Sequence, residues 1–226
     1  MTIGFRILPK AAARAGSDLV ARFRVIPVAN VSDSMFRMTA GGPLLRPMHA
    51  GGVLAGPAFT VKIRPGDNLM LHKALDLAEP GDIIVVDGGG DLTNALIGEM
   101  MVTHAECRGL GGIVVNGAIR DAAALRAGAF PVFAAGVSHR GPYKDGPGEI
   151  NVPIALGGMV IHPGDLMLGD DDGLLCVPLA EAETVYRAAK AKQELEERQL
   201  AEIRAGRSDR AWVDAELHRR GVEIIA

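Results

Sequence analysis

Between residues 58 and 134, short apolar runs alternate with glycine- and proline-rich stops, and no other feature limits the fold so strongly. The runs at 58–63, 83–86, 113–115 and 131–134 are short, and their apolar residues are mostly consecutive. They read as buried strands. Segments of helical period lie between them. Residues 68–77 carry an apolar side at Leu69, Leu71, Ala74 and Leu75, with Ala78 just beyond. Residues 100–108 end at Gly109, Gly111 and Gly112, and residues 122–127 form a shorter helix. A small apolar piece at 95–97 runs into Gly98. Strand, glycine, helix, glycines, strand is a βαβ unit, which favours parallel pairing and a right-handed crossover. The expected fold class is therefore α/β.

The flanks are less regular. Residues 10–23 are expected to be helical. Pro27 ends the next run, and Ser32 is placed to cap a short helix over 33–38, closed by Gly41, Gly42 and Pro43. Residues 138–147 are polar and turn-rich, 150–161 holds two short strands, and runs at 166–168 and 174–177 flank Asp170, Asp171 and Asp172. Pro-Gly-Asp occurs at 65–67, 80–82 and 163–165, each before an apolar run, as type II turns would be. After Pro178 the composition shifts to Ala, Glu, Lys and Arg. One helix is expected over 180–205, with a further helical segment over 206–226. The division expected is an α/β unit over 1–178 and a C-terminal helical arm over 179–226, packed on the same unit or on a neighbouring subunit.

Several functions find no support. The formal net charge is -3 and aromatic residues make up only 4% of the chain, so neither a basic nucleic-acid surface nor a base-stacking platform is expected. Cys107 and Cys176 form no CxxC pair and read as small buried thiols. No apolar run reaches the ~18 residues of a membrane span and no signal core opens the chain, so a cytoplasmic protein without membrane contact is expected. The six histidines show no HExxH spacing.

The candidate chemistry lies in the βαβ unit. Gly98, Glu99, Met100 and Met101 begin a helix directly after a strand. The free N–H groups and dipole of such a helix start attract an anion. The next strand ends at Arg120-Asp121, and ligands of parallel sheets collect at the carboxyl ends of strands. Both loops should therefore open on one edge. Arg120 can hold a carboxylate bidentately, Asp121 can ligate a hard cation, and Glu99 is a second oxygen donor. The alternative is an Arg–Asp pair that only closes a turn. Asp87-Gly88-Gly89-Gly90-Asp91 reads mainly as a structural turn, although Asp87 and Asp91 are candidates for lining the same cleft. The acidic triplet at 170–172 reads as a tight turn. His72 is read as helix surface near the cleft, and His139 and Lys144 as an electropositive rim.

Three stretches carry a resemblance: PGDNLMLHKALDLAEPGDIIVVDGGG (65–90), GEMMVTHAECRGLGGIVVNGAIRD (98–121) and NVPIALGGMVIHPGDLMLGDDDG (151–173). They resemble the RraA-like family, which holds class II 4-hydroxy-4-methyl-2-oxoglutarate/4-carboxy-4-hydroxy-2-oxoadipate aldolases and regulators of ribonuclease E. The hallmark is an acidic residue, then, after an intervening stretch, Arg-Asp, matched here by Glu99 and Arg120-Asp121. The resemblance implies a layered β/β/α fold of the swivelling-domain kind, assembled as a homotrimer or homohexamer with clefts between subunits. It implies Mg2+ or Mn2+ on Asp121, a small anionic 2-keto acid as substrate, and Arg120 steadying the enolate. The carboxylate would meet the N–H groups of Glu99, Met100 and Met101, and Glu99 would act through a water on the metal. A glutamate from a neighbour's C-terminal helix is also implied, with Glu194, Glu196 and Glu197 as candidates. The implied activity is retro-aldol release of pyruvate, with oxaloacetate decarboxylation beside it. The alternatives are a related lyase for another 2-keto acid and a non-catalytic, regulator-like binding protein.

Overall fold

The computed structural model describes residues 3–38 and 44–223. Its centre is a sheet built from β1 (Phe5–Ile7), β2 (Arg46–Pro47), β3 (Leu54–Ile63), β4 (Ile83–Asp87), β6 (Gly112–Ile119), β7 (Val132–Val137) and β8 (Gly148–Ile150), in the order β1-β8-β3-β4-β6-β7-β2. Strands β3, β4, β6 and β7 are mutually parallel. The short strand β5 (Ala95–Ile97) adds to β6, also parallel, with Ile97 opposite Ile119. The expected βαβ unit is thus β5, α4 (Glu99–Cys107) and β6.

The consecutive apolar residues of these strands divide between two cores, because neighbouring side chains point to opposite faces. Ile84 and Val86 of β4 and Ile113 and Val115 of β6 pack under α3 (Leu69–Leu77), α4 and α5 (Ala122–Ala127). Ile83, Val85 and Val114 face the other way, onto the hairpin β9–β10 (Ile154–Leu156, Met159–Ile161) and the hairpin β11–β12 (Leu166–Asp170, Gly173–Val177). The second hairpin repeats the division. Met167, Leu174 and Cys176 join that middle core, whereas Leu166, Leu168, Leu175 and Val177 meet α1 (Ser17–Phe23), α2 (Val28–Ser34) and α6 (Ala182–Arg204). The result contains the layered β/β/α arrangement that the resemblance implied, with α1, α2 and α6 as a further helical layer.

Strand β3 joins the layers. Leu54–Pro57 pairs antiparallel with β11, and Ala58–Lys62 pairs parallel with β4. The three Pro-Gly-Asp turns put glycine at φ 79°, 86° and 91°, as the third position of a type II turn requires. Their aspartates, Asp67, Asp82 and Asp165, are all buried and accept local backbone N–H groups.

The flanks differ from expectation in places. The first helix starts at Ser17 rather than at residue 10, because Lys10 and Arg14 are drawn to Glu79 and Asp82 and the Ala15 N–H bonds the Gly164 carbonyl. Pro27 starts helix α2 instead of merely ending a run, and Ser32 lies inside it rather than capping a helix over 33–38. Proline's missing N–H costs nothing at a helix start. Phe36 and Arg37, at positive φ, close the turn. Gly41, Gly42 and Pro43 lie outside the described residues. Cys107 is exposed, contrary to the reading as a buried thiol, because α4 buries Val102 and Ala105 instead. Cys176 is buried, and that burial pushes its thiol pKa up. Helix α6 buries Ala182, Val185 and Ala189 and then exposes Leu195, Leu200 and Ile203; α7 (Ala211–Arg219) buries none of its residues. Among the described residues no helix is long and apolar enough to cross a membrane.

Candidate active site

Strands β5 and β6 end side by side, and their loops open on one edge. The Arg120 N–H donates to the Ile97 carbonyl at 2.9 Å, which fixes the spacing of the two loops. Gly98 precedes α4 with extended dihedrals, so its glycine is required by contact and not by backbone conformation. A Cβ there would stand 2.9 Å from Arg120 Cγ and would overlap the Asp121 carboxylate. That carboxylate reaches across the gap: the Glu99 N–H donates to Asp121 Oδ2 at 3.0 Å. Arg120 Nε lies 3.7 Å from the same oxygen. Asp121 adopts the left-handed region at φ 54°, ψ 36°, a conformation that aspartate tolerates better than most residues and that often accompanies functional positions.

A cleft of roughly 220 Å³ opens at this edge. Gly98, Met100, Met101, Arg120 and Asp121 line it, with Ala95, Leu96 and Ile97 at its floor. Glu99 stands beside it, exposed, on the first turn of α4. Of the three N–H groups expected to meet a carboxylate, that of Glu99 is engaged by Asp121 and that of Met101 bonds the Gly98 carbonyl at 3.1 Å. Asp121 therefore sits as an internal anion on the helix start.

The remaining wall comes from a distance in sequence: Asn68 and His72 of the α3 region, and Pro142 and Lys144 of the polar loop. Asn68 was not among the expected residues. Its Nδ2 donates to the Leu96 carbonyl at 2.8 Å, steadying the strand that leads to Gly98. The preceding Asp67 is fully buried and its Oδ2 accepts the N–H groups of Asp145 and Gly146, at 2.8 and 2.9 Å, and an Arg64 N–H at 2.9 Å. Burial opposes its ionisation, yet these bonds and the Leu69 N–H outweigh it and hold its pKa below the usual carboxylate value. Packing around the His72 ring, then the charge of Lys144, lowers the histidine pKa, partly offset by Asp76.

Other candidates lie elsewhere. Asp87 and Asp91 do not line the cleft; their carboxylates cap the N–H groups of Gly89 and Thr93 within their own turn. Asp170 likewise holds the Val28 and Asp172 N–H groups. On α6, Glu196 is held by Asn30 at 2.6 Å and Lys192 at 3.1 Å, and Glu194 lies 3.7 Å from Lys190. Glu197 is exposed, and none of the three lines the cleft of its own chain.

Among the described residues no three His, Cys, Asp or Glu side chains gather into a metal-holding group. A closed zinc cage needs four protein ligands and does not fit this donor set. The set present is one carboxylate in the cleft and one beside it. It fits a hard cation such as magnesium or manganese, which keeps several waters and takes one or two carboxylates.

Comparison with known proteins agrees with this architecture. The RraA-like family model, described as Aldolase/RraA, matches residues 28–176. A protein of Halalkalibacterium halodurans named "Putative 4-hydroxy-4-methyl-2-oxoglutarate aldolase" is 41% identical over 181 residues, covering 80% of this chain and 86% of that protein. The solved structure of Streptomyces coelicolor RraAS2, described as an unusual member of the RNase ES inhibitor RraA protein family, superposes with a TM-score of 0.75 at 28% identity, covering 83% of this chain and 98% of that one. An uncharacterized protein from Pseudomonas syringae superposes with a TM-score of 0.77 at 25% identity, covering 86% and 96%. With its motif blocks, its layers and the edge at which Glu99 and Arg120-Asp121 meet, the chain belongs to the RraA-like family.

Proposed function

We propose that the chain is a divalent-metal-dependent carbon–carbon lyase that cleaves 4-hydroxy-4-methyl-2-oxoglutarate, or the homologous 4-carboxy-4-hydroxy-2-oxoadipate, to release pyruvate, and that it decarboxylates oxaloacetate at the same site. The observation that carries the reading is the meeting of Arg120 and Asp121 with the first turn of α4 in one small cleft.

Asp121 would hold the magnesium or manganese ion, with Glu99 beside it, and the ion would supply Lewis acidity to the substrate's keto and carboxylate oxygens. The substrate carboxylate would displace the Asp121 oxygen from the α4 start and take the N–H groups of Glu99 and Met100, sharing that of Met101 with the Gly98 carbonyl, with Gly98 leaving room for its approach. Arg120 then stands where negative charge develops on the keto oxygen as the C3–C4 bond breaks. Glu99 takes the C4 hydroxyl proton as the bond breaks and returns it to C3, which completes pyruvate. Loss of carbon dioxide from oxaloacetate gives the same pyruvate enolate, so one site serves both reactions. A homotrimer or homohexamer would bring a glutamate of a neighbour's α6 to the cleft. Glu196 is held by Asn30 and Lys192 and Glu194 lies beside Lys190 within its own chain, which favours Glu197 for that role.

The test is pyruvate release, coupled to lactate dehydrogenase, from racemic 4-hydroxy-4-methyl-2-oxoglutarate and from oxaloacetate, on chelated protein with and without added magnesium or manganese. Metal-dependent release from both, lost in Arg120→Ala, is the expected result. No release from the folded, metal-replete protein refutes the reading. The likeness to RraAS2 favours a second one, a ribonuclease-binding regulator. It predicts ribonuclease inhibition that survives Arg120→Ala.

A further inference from the structure

Asn68 lines the cleft yet is only 2% exposed, and its neighbours orient its amide. Nδ2 donates to the Leu96 carbonyl at 2.8 Å and lies 3.5 Å from Met101 Sδ. Turning the amide over would set Oδ1 against both of those acceptors. Oδ1 is therefore the end left over, and among the described residues it has no hydrogen-bond partner. Lys10 Nζ and Arg22 Nε also lack an aligned bond, but carboxylates stand 2.7 and 3.2 Å from them. A buried acceptor left unpaired is costly, and native proteins keep few of them. We propose that Asn68 Oδ1 accepts a hydrogen bond from a water carried by the divalent ion, so that Asn68 positions the hydrated ion against Asp121. This rests on the proposed function, in which Asp121 holds that ion.

The chemistry of the cleft selects that partner. Its charged side chains are Arg120 and Lys144, which only donate, and Asp121, whose Oδ2 already accepts the Glu99 N–H. The keto and carboxylate oxygens of the substrate are acceptors and cannot serve Oδ1. Its one hydroxyl proton goes to Glu99 as the C3–C4 bond breaks, and oxaloacetate has no hydroxyl. Magnesium keeps several waters. Each turns its oxygen to the ion and its two O–H groups outward, so the ion brings donors that need acceptors. An ion ~2 Å from its carboxylate oxygen and ~5 Å, through one water, from a second acceptor spans about 7 Å, and a volume of 220 Å³ is that of a sphere about 7.5 Å across. The second acceptor is also held still. The Asn68 N–H donates to the Tyr143 carbonyl at 2.9 Å, and the Asn68 carbonyl accepts the His72 N–H at 3.0 Å. Side chains fixed in this way are what orient the ligands of a metal.

The experiment titrates chelated protein with Mn2+ in the absence of substrate and reads free Mn2+ by electron paramagnetic resonance. Asn68→Leu should weaken Mn2+ binding by about tenfold or more, as the loss of a side chain that braces a metal's ligand does. Asn68→Asp keeps an oxygen acceptor and gives up the donor to Leu96, and it should bind Mn2+ at least as tightly as wild type. Equal weakening in both variants would show that the brace to Leu96 is what matters, and overturns the inference. Unchanged binding in Asn68→Leu overturns it too, and either result leaves the lyase reading standing. A wild-type protein that binds no Mn2+ overturns the metal role of Asp121, and this inference with it. If Asn68→Leu fails to fold, the wild type alone decides. Its Asn68 side-chain amide signal in the NMR spectrum should move on adding Mg2+, because a bond to the oxygen polarises the amide, and a signal that stays in place overturns the inference.

Discussion

Gly98→Ala separates the role of the site from that of the fold. Gly98 has φ -154° and ψ -168°, which alanine adopts freely, so the backbone itself resists nothing. The added methyl, however, stands 2.9 Å from Arg120 Cγ and 3.2 Å from Arg120 Nε, and overlaps the Asp121 carboxylate. Both side chains must swing away, and the 3.0 Å bond from the Glu99 N–H to Asp121 is broken. Losing a cap of this kind costs about 1 kcal/mol. For a chain of this size that lowers Tm by about 2–4 °C. Catalysis should suffer far more, because a misplacement of about 1 Å in a positioned group can cost about a hundredfold. The assay is the coupled pyruvate release, run with thermal unfolding on the same sample. The expected outcome is a kcat/KM lower by about a hundredfold in a protein that still unfolds cooperatively within a few degrees of wild type. A Gly98→Ala protein with kcat/KM within twofold of wild type would refute the assignment of this edge as the reacting centre.

Asp121→Asn keeps the side-chain shape, the left-handed backbone and an oxygen that accepts the Glu99 N–H, so the loss is about 1 kcal/mol and Tm should fall by about 2–4 °C, while metal-dependent turnover disappears; retained turnover excludes Asp121 as the ligand. Arg6 and the Gly4 N–H hold the Glu149 pKa at about 2, against an ordinary 4.5. The carboxyl is depressed in the folded state, so its stabilisation is complete above pH 4.5 and is lost as pH falls toward 2. In Arg6→Ala, unfolding midpoints should decline less steeply than wild type across that window. Phe133 is fully buried in the middle core, and Phe133→Ala should destabilise by about 3–5 kcal/mol, read by urea denaturation; a loss below about 1 kcal/mol would mean that the two sheets are not packed through it.

Much of this architecture was legible from the chain alone, and the physical reasons differ by element. Runs such as residues 83–86 and 113–115 revealed strands with two buried faces, because consecutive apolar residues have no other use in so short a span. The start of α4 and the end of β6 were legible as one edge, since parallel strands put their carboxyl ends together. Strands β1, β2 and β8 were not. They are short edge or irregular strands whose pairing is decided by neighbours far away, as when Arg6 of β1 meets Glu149 of β8. Helix α2 was misplaced because Pro27 signals the end of one element and the beginning of another equally well. Lys144 and His72 were legible as rim and near-cleft groups and do line the cleft, but Asn68 was not, because its place depends on the contact of residues 68 and 143, which no local pattern encodes. The one available hint was Asp67, an acidic residue in a turn, whose burial only the tertiary structure reveals.

Strand β3 spends its first residues in one sheet and its last in the other. Its hydrogen bonds are therefore common property of both layers, and neither sheet can fray without pulling on the seam of its neighbour. Amide protons across Leu54–Ile63 should accordingly exchange with deuterium at one shared rate, governed by the opening of the whole molecule. A protease that nicked this strand would uncouple two halves, and a circular permutant opened within it should fail to fold, while permutants opened in the exposed turn at 157–158 should succeed.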